Sequence, residues 1–157
     1  MFTIKLLFFS LAFIFANLIT QSQSCECVDR PPQDHYCESA FTGQIFVKGQ
    51  REVEDPDQNV YIVNVEHIFR TNDTARRVLQ GGQLYTMKSS ASCGVHLEAN
   101  QRYIVTGYVD DGKAEIVDCG IHQVTSQVSQ HVKLEFEGEY KPQCKSFCIL
   151  HIIIFII

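Results

Sequence analysis

Two cysteines flank a single acidic residue, Cys25-Glu26-Cys27, directly behind a stretch built like a secretory leader. Lys5 gives that stretch a positive start, residues 6–19 are almost wholly apolar, and Ser22 and Ser24 are the small residues expected ahead of a cleavage point. Cleavage before Cys25 would leave a chain that starts on a cysteine with a free and chemically useful α-amine. The apolar run is shorter than the roughly 20 residues of a bilayer-spanning helix and ends in Gln-Ser-Gln-Ser, so a membrane anchor is the weaker reading. Residues 1–24 are read as a signal peptide, and the mature chain as secreted into the extracellular space or matrix with no stable membrane span.

All seven cysteines, at positions 25, 27, 37, 93, 119, 144 and 148, fall behind the leader. In an oxidising compartment that density points to disulfides, with one cysteine left over and the pairing open on the residues alone. Three cysteines crowd at the front and the rest lie late, so long loops tying the N-terminus to the body are expected. Metal binding by the cysteines themselves would want a Cys-x-x-Cys pair or a His-x-x-x-His, and neither occurs. The six histidines are scattered, with no nucleophile, base and orienting acid at motif spacing. Gly81-Gly82 reads as a turn, because no helix with Lys-Ser or Lys-Thr follows it. Neither enzymatic activity nor a cofactor of its own is expected. Without Lys5, twelve basic side chains face eighteen acidic ones, a net charge of −6. Binding of nucleic acid or an anionic membrane by charge is therefore not expected.

The segments that must position these residues are mostly strand-like. Residues 40–51 are rich in Phe, Ile and Val, and after an acidic turn over 52–58 residues 60–69 alternate around Val63, Val65 and Ile68. These two are expected to pair as a hairpin. Shorter strands follow at Leu84 to Met87, Tyr103 to Val109 and Glu115 to Val117, the last two joined by the tight-turn signal Asp110-Asp111-Gly112. Val124, Val128, Val132 and Phe136 recur every four residues, predicting an amphipathic helix that ends near Gly138; a short helix is expected from Asp34 to Ser39. Five antiparallel strands with minor helices predict an all-β fold. It would be a five-stranded barrel like the oligonucleotide/oligosaccharide-binding (OB) fold plus a C-terminal helix, with a sandwich as the alternative. Asn72-Asp73-Thr74 is a glycosylation sequon, expected in an exposed loop after the second strand.

The front of the mature chain resembles the inhibitory N-terminal domain of the tissue inhibitors of metalloproteinases, which begins Cys-x-Cys-x-Pro-x-His-Pro-Gln-x-x-Phe-Cys. Here Cys25-Glu26-Cys27-Val28-Asp29-Arg30-Pro31-Pro32-Gln33-Asp34-His35-Tyr36-Cys37 runs in register without a gap. Tyr85-Thr86 and Ser89-Ser90-Ala91-Ser92-Cys93-Gly94-Val95 are similar to the family's second contact segment, and Arg102 to Gly107 to the strand after it. Cys119, Tyr140 and Cys144 fall at family-like spacing. The resemblance implies a monomeric, netrin-like inhibitor domain over residues 25–144, stapled by Cys25–Cys93, Cys27–Cys119 and Cys37–Cys144. It implies partners among zinc metalloproteinases, a matrix metalloproteinase or related metzincin, contacted by Cys25, Glu26, Cys27, Val28, Ser90, Ala91 and Ser92. Cys25 would ligate the partner's catalytic zinc through its α-amine and carbonyl, so that zinc is shared with the bound enzyme.

Several residues depart from the family pattern. Its second position is normally Thr or Ser and enters the enzyme's primary specificity pocket, beside the catalytic glutamate; here it is Glu26. A carboxylate desolvated against a like charge costs about 4 kcal/mol, roughly a thousandfold in affinity, unless the pocket offers a cation. Enzymes with a basic pocket are thus better candidates than those with an apolar one. Asp29-Arg30 replaces a region that tends to hold proline, Thr125 stands near the place of a typical tryptophan, and only Cys148 corresponds to the family's six-cysteine second domain. The tail over 145–157, apolar from Ile149 apart from His151, is too short to span a bilayer and lacks the spacer of a lipid-anchor signal. A netrin-like module for matrix or growth-factor adhesion would share the barrel without needing cysteine at its first position. Glu26 suits that reading; the Cys-x-Cys start and the acidic charge do not.

Overall fold

The computed structural model describes residues 25–144; the leader, Cys148 and the Ile-rich tail lie outside the described residues. Six strands form: β1 (Phe41–Arg51), β2 (Gln58–Thr71), β3 (Gln83–Met87), β4 (Arg102–Asp110), β5 (Lys113–Glu115) and β6 (His122–Val124). The sheet runs β1-β2-β3-β5-β4-β6, and a further β1–β4 pairing closes the first five into a barrel. β1 pairs with β2 along its length and with β4 over Phe41 to Phe46. Three register shifts in the β1–β2 ladder add the coiling that lets one long strand serve both neighbours. At Asp111 and Gly112 φ is positive, 44° and 72°, the conformation that a two-residue hairpin between β4 and β5 requires.

Alternation buries one face of each strand. Phe41, Ile45 and Val47 of β1 meet Tyr61, Val63, Leu84, Tyr103, Val105 and Ala114 in one buried cluster. Full burial of each such side chain is worth about 1.5–3 kcal/mol, so packing rather than strand propensity holds the ring closed. The barrel end is plugged by Val95 and Leu97 from the irregular stretch before β4, and by Ala75 and Leu79 of α2 (Asp73–Leu79). Polar bonds pin that stretch. The buried Tyr61 hydroxyl donates to the Val95 carbonyl and accepts from the Leu97 N–H, both at 3.1 Å, while Thr86 Oγ1 accepts from the Val95 N–H at 2.9 Å.

A second cluster lies outside the barrel wall. Tyr36 of α1 (Pro32–Glu38) packs 5.9 Å from the ring of Phe136 and 5.7 Å from that of Tyr140, with Ile104, Ile121 and Val128 around them. The C-terminal segment consists of α3 (Gln130–Leu134), a π-helical turn (Glu135–Glu139) and α4 (Tyr140–Gln143). Burial, and a 2.8 Å hydrogen bond from its hydroxyl to Glu135, push Tyr140 up to about 12. The Cys37–Cys144 disulfide, 107 residues apart in sequence, ties α1 to the end of this segment.

Four expectations require correction. Val124 belongs to β6 rather than to the C-terminal helix, which begins only at Gln130, where Ser129 Oγ caps the Val132 N–H. The sheet has a sixth strand, too short to carry an alternation signal. β3 and β5 pair in parallel, at Tyr85 and Glu115, so the barrel is not wholly antiparallel. A helix that the sequence reading did not include, α2, follows β2; Asn72 lies exposed in the link between them, as expected, and caps the helix, its Oδ1 accepting from the Ala75 N–H at 2.8 Å.

Gly107 tests barrel closure. A Cβ at this β4 position would run into the Phe41 ring and the Glu115 carbonyl oxygen. Gly107→Ala should therefore lower unfolding stability by about 1–3 kcal/mol, the usual cost of overpacking, as read from denaturant midpoints under non-reducing conditions. An unchanged midpoint would contradict the closed β1–β4–β5 packing.

Candidate functional site

The segment from Cys25 to Pro31 has no regular secondary structure and is positioned by its ends. At one end Pro31 is extended, as a residue before proline must be, and Pro32 occupies the first turn of α1, where its missing N–H costs nothing. α1 is fixed in turn by the buried Tyr36. At the other end two disulfides hold alternate residues, Cys25 to Cys93 and Cys27 to Cys119. The bridges touch: the sulfur of Cys25 is 3.5 Å from that of Cys119 and 3.8 Å from that of Cys27. Cys25 is half-buried, whereas Glu26, Cys27 and Val28 are exposed, Val28 at 74 %.

The two loops that receive the bridges are themselves joined. Ser90–Ser92 is a single 3₁₀ turn whose start is capped by Ser89 Oγ, accepting from the Ala91 N–H at 3.2 Å. It ends on Cys93 in the left-handed region, φ 61°, a conformation unfavourable for any residue with a Cβ. Bonds on both sides retain it there: the Cys93 N–H donates to the Ser90 carbonyl and the Cys93 carbonyl accepts from the Asp118 N–H at 2.9 Å. The last bond places Cys119 beside Cys93. Residues 25–28 and the exposed Ser90, Ala91 and Ser92 thus flank one pair of disulfides and form a ridge.

Other residues join the ridge that sequence reasoning did not single out. A cleft of about 210 Å³ beneath Glu26, Cys27 and Val28 is completed by Arg30, His35, Tyr108, Val117 and Cys119. Tyr108 is 41 % exposed, and Met87, on the side of Ser89 and Ser92, is 36 % exposed. Met87 lies two residues before Ser89 in the chain, whereas Tyr108 reaches the ridge only through pairing between distant strands. The sulfurs of Cys25, Cys27 and Cys119 lie within 4.8 Å of one another, but all are bridged and none offers a thiolate to a metal. What the ridge exposes to a partner is backbone, small hydroxyls, one carboxylate and a few apolar side chains.

The fold is thus a small barrel stapled by three disulfides, two of which hold the segment over residues 25–28. The chain belongs to the tissue inhibitor of metalloproteinase family, whose model matches residues 23–154. It is similar to the tissue inhibitor of metalloproteinase of Drosophila melanogaster, 29% identical over 94 residues, covering 60% of this chain and 45% of that one. It is also similar to metalloproteinase inhibitor 4 of Mus musculus, 25% identical over 134 residues (79% and 58%), and to metalloproteinase inhibitor 3 of Gallus gallus, 32% identical over 126 residues (78% and 58%). The chain spans about half the length of the curated relatives it matches. Among the described residues no helix is long and apolar enough to cross a membrane.

Gly94, next to the strained Cys93, tests how the ridge is set. A Cβ there would collide with the Met87 and Ser89 carbonyls. Gly94→Ala should lower stability by about 1–3 kcal/mol and, because Cys93 carries the first bridge, speed amide hydrogen exchange across residues 25–30. Exchange in that segment equal to the unsubstituted protein would contradict the dependence of the ridge on the Cys93 turn.

Proposed function

We propose that this protein is a secreted inhibitor of zinc metalloproteinases, active after removal of residues 1–24, and that its Cys25 α-amine and carbonyl oxygen ligate the partner's catalytic zinc. The observation that carries this reading is the fixing of Cys25 at the edge of an exposed ridge by a disulfide to a hydrogen-bonded loop. A catalytic zinc in a protease keeps three protein ligands and an open position for water. The amine and carbonyl of one residue suit that opening, because together with the metal they close a five-membered ring. The bridged Cys25 sulfur takes no part.

Rigidity supplies affinity. A free peptide terminus would lose conformational entropy on binding, about 0.5–1.5 kcal/mol for each side chain immobilised, whereas residues 25 and 27 are already ordered by covalent bonds. The contact surface in this reading comprises Cys25, Glu26, Cys27 and Val28 with Ser90, Ala91 and Ser92, joined by Tyr108 and Met87. One monomer binds one enzyme.

An amine ligates zinc only when unprotonated, and an unperturbed α-amine titrates near 7.7–8.0. Inhibition should therefore weaken by about tenfold for each pH unit below that value, through loss of the free amine. Adding one alanine ahead of Cys25 converts the amine to an amide, a poor ligand, and fills the space of the displaced water. The extended protein should fold with the same melting temperature and lose inhibition by about a hundredfold or more, roughly 3 kcal/mol. Undiminished inhibition by the extended form would remove the chelation reading. A protein that inhibits no metalloproteinase in either form would instead favour the adhesion module.

A further inference from the structure

We propose that the apolar tail over residues 149–157 folds back as an added strand on the free edge of β2, filling the cleft between that edge and α2. This face shares no residue with the ridge, so the proposal stands apart from the zinc reading.

β2 is 14 residues long and outruns its neighbour on one side. β3 pairs with it only from Gln58 to Ile62, and that side closes with the Val63 N–H donating to the Gly82 carbonyl at 2.9 Å. On the other side β1 continues the ladder to Thr71. From Asn64 onward, therefore, the described residues give β2 a strand neighbour on one edge only. A cleft of about 780 Å³ lies here, lined without a gap by residues 62–68 and across from them by Arg76 and Leu79 of α2. Successive strand residues point to opposite faces, so a cleft that touches every one of them runs along the strand's edge rather than across a face. Such an edge presents unpaired backbone donors and acceptors, a template for one more strand.

The chain carries a segment suited to that edge. Six of residues 149–157 are isoleucine, with Leu150 and Phe155 among them, and β-branched and aromatic residues favour strands. The segment also starts from a point beside the cleft. Cys144 is bridged to Cys37 and packs in the aromatic cluster that includes Phe69 of β2, whose carbonyl accepts from the Tyr36 hydroxyl at 3.5 Å. Phe69 directly follows Ile68, where the cleft ends. The linking residues 145–148 reach roughly 13 Å when extended, more than two strand spacings of about 4.8 Å. The tail then runs from the Ile68 end toward Ile62, antiparallel to β2.

The side chains along the cleft admit an apolar strand. Val65 and Ile68 are half-buried and pack against the core, leaving apolar surface on the cleft side. The carboxylate of Glu66 is held by Arg102 and Gln44, on the β1 side and away from the free edge. Lys48 and Arg76 at the rim can lay their aliphatic stems along the strand while their charges stay in water. Tethering favours this occupant over a second copy, because a linked segment meets its site at an effective concentration on the order of millimolar.

The test is amide hydrogen exchange on the full chain after removal of residues 1–24, compared with a variant carrying Ile152→Pro and Ile154→Pro, since proline cannot donate to a strand ladder. Residues 64–68 should exchange at least about tenfold more slowly in the unsubstituted chain than in the variant, at every protein concentration. Exchange over Phe41 to Phe46, which are paired on both edges, should be equal in the two and shows that the barrel is intact. Nuclear Overhauser contacts between residues 64–68 and the tail should appear in the unsubstituted monomer. Equal exchange at 64–68 in both chains would overturn the proposal. So would protection that rises with protein concentration alongside a doubled molar mass, which makes the occupant a second copy. An edge left unprotected while the tail carries the protein onto phosphatidylcholine vesicles would overturn it in favour of a lipid surface.

Discussion

Two disulfides on alternate residues, set side by side against a pair of hydrogen-bonded loops, are the constraint from which the rest of the structure follows. Cys25 and Cys27 have no secondary structure around them to fix their backbone. Their order is imposed by Cys93 and Cys119, which a bond from the Asp118 N–H to the Cys93 carbonyl links directly. The closed spans, 68 and 92 residues, are long. Loop-closure estimates assign each such bridge about 4–5 kcal/mol in isolation, though overlapping loops do not add. Their larger effect is local, since they hold in place a segment that has no secondary structure of its own.

The barrel supplies the loops at the right separation. β3 ends at Met87 just before the 3₁₀ turn that carries Cys93, and β5 leads into the turn that carries Cys119. Parallel pairing of β3 and β5 is what brings those two exits together, reinforced by the Ile116 N–H donating to the Tyr85 carbonyl at 2.9 Å. On the far side of the segment, α1 is clamped by the aromatic cluster of Tyr36, Phe136 and Tyr140 and by the third disulfide. Residues 25–31 are thus held at both ends by elements distant in sequence, and a change in either the barrel or the aromatic cluster would be felt at the ridge.

The parts of this arrangement that were legible in the sequence are those with local signals. Alternation marked the β1–β2 hairpin, Asp111-Gly112 marked the β4–β5 turn, and the front cysteines resembled a family pattern. Where the reading failed, either no local signal existed or another reading covered it. α2 carries a capping asparagine and the apolar pair Ala75 and Leu79 at helical spacing, but the sequon Asn72-Asp73-Thr74 occupies the same residues and masks the cap signal. The four-residue spacing from Val124 to Phe136 suggested one helix, yet Val124 pairs with Tyr103 in β6 and Ser129 marks the true start. For the parallel β3–β5 seam, and for Tyr108 at the ridge, the cause is non-local pairing, which a single sequence does not display.

Zinc coordination in a complex of the mature protein with a metalloproteinase catalytic domain tests the account most directly, by crystallography or by X-ray absorption at the zinc edge. If Cys25 chelates, its nitrogen and carbonyl oxygen should both lie about 2.0–2.2 Å from the zinc, completing its shell beside three protein ligands with no water retained. A complex in which the zinc keeps its water, with the Cys25 nitrogen beyond bonding distance, would contradict it.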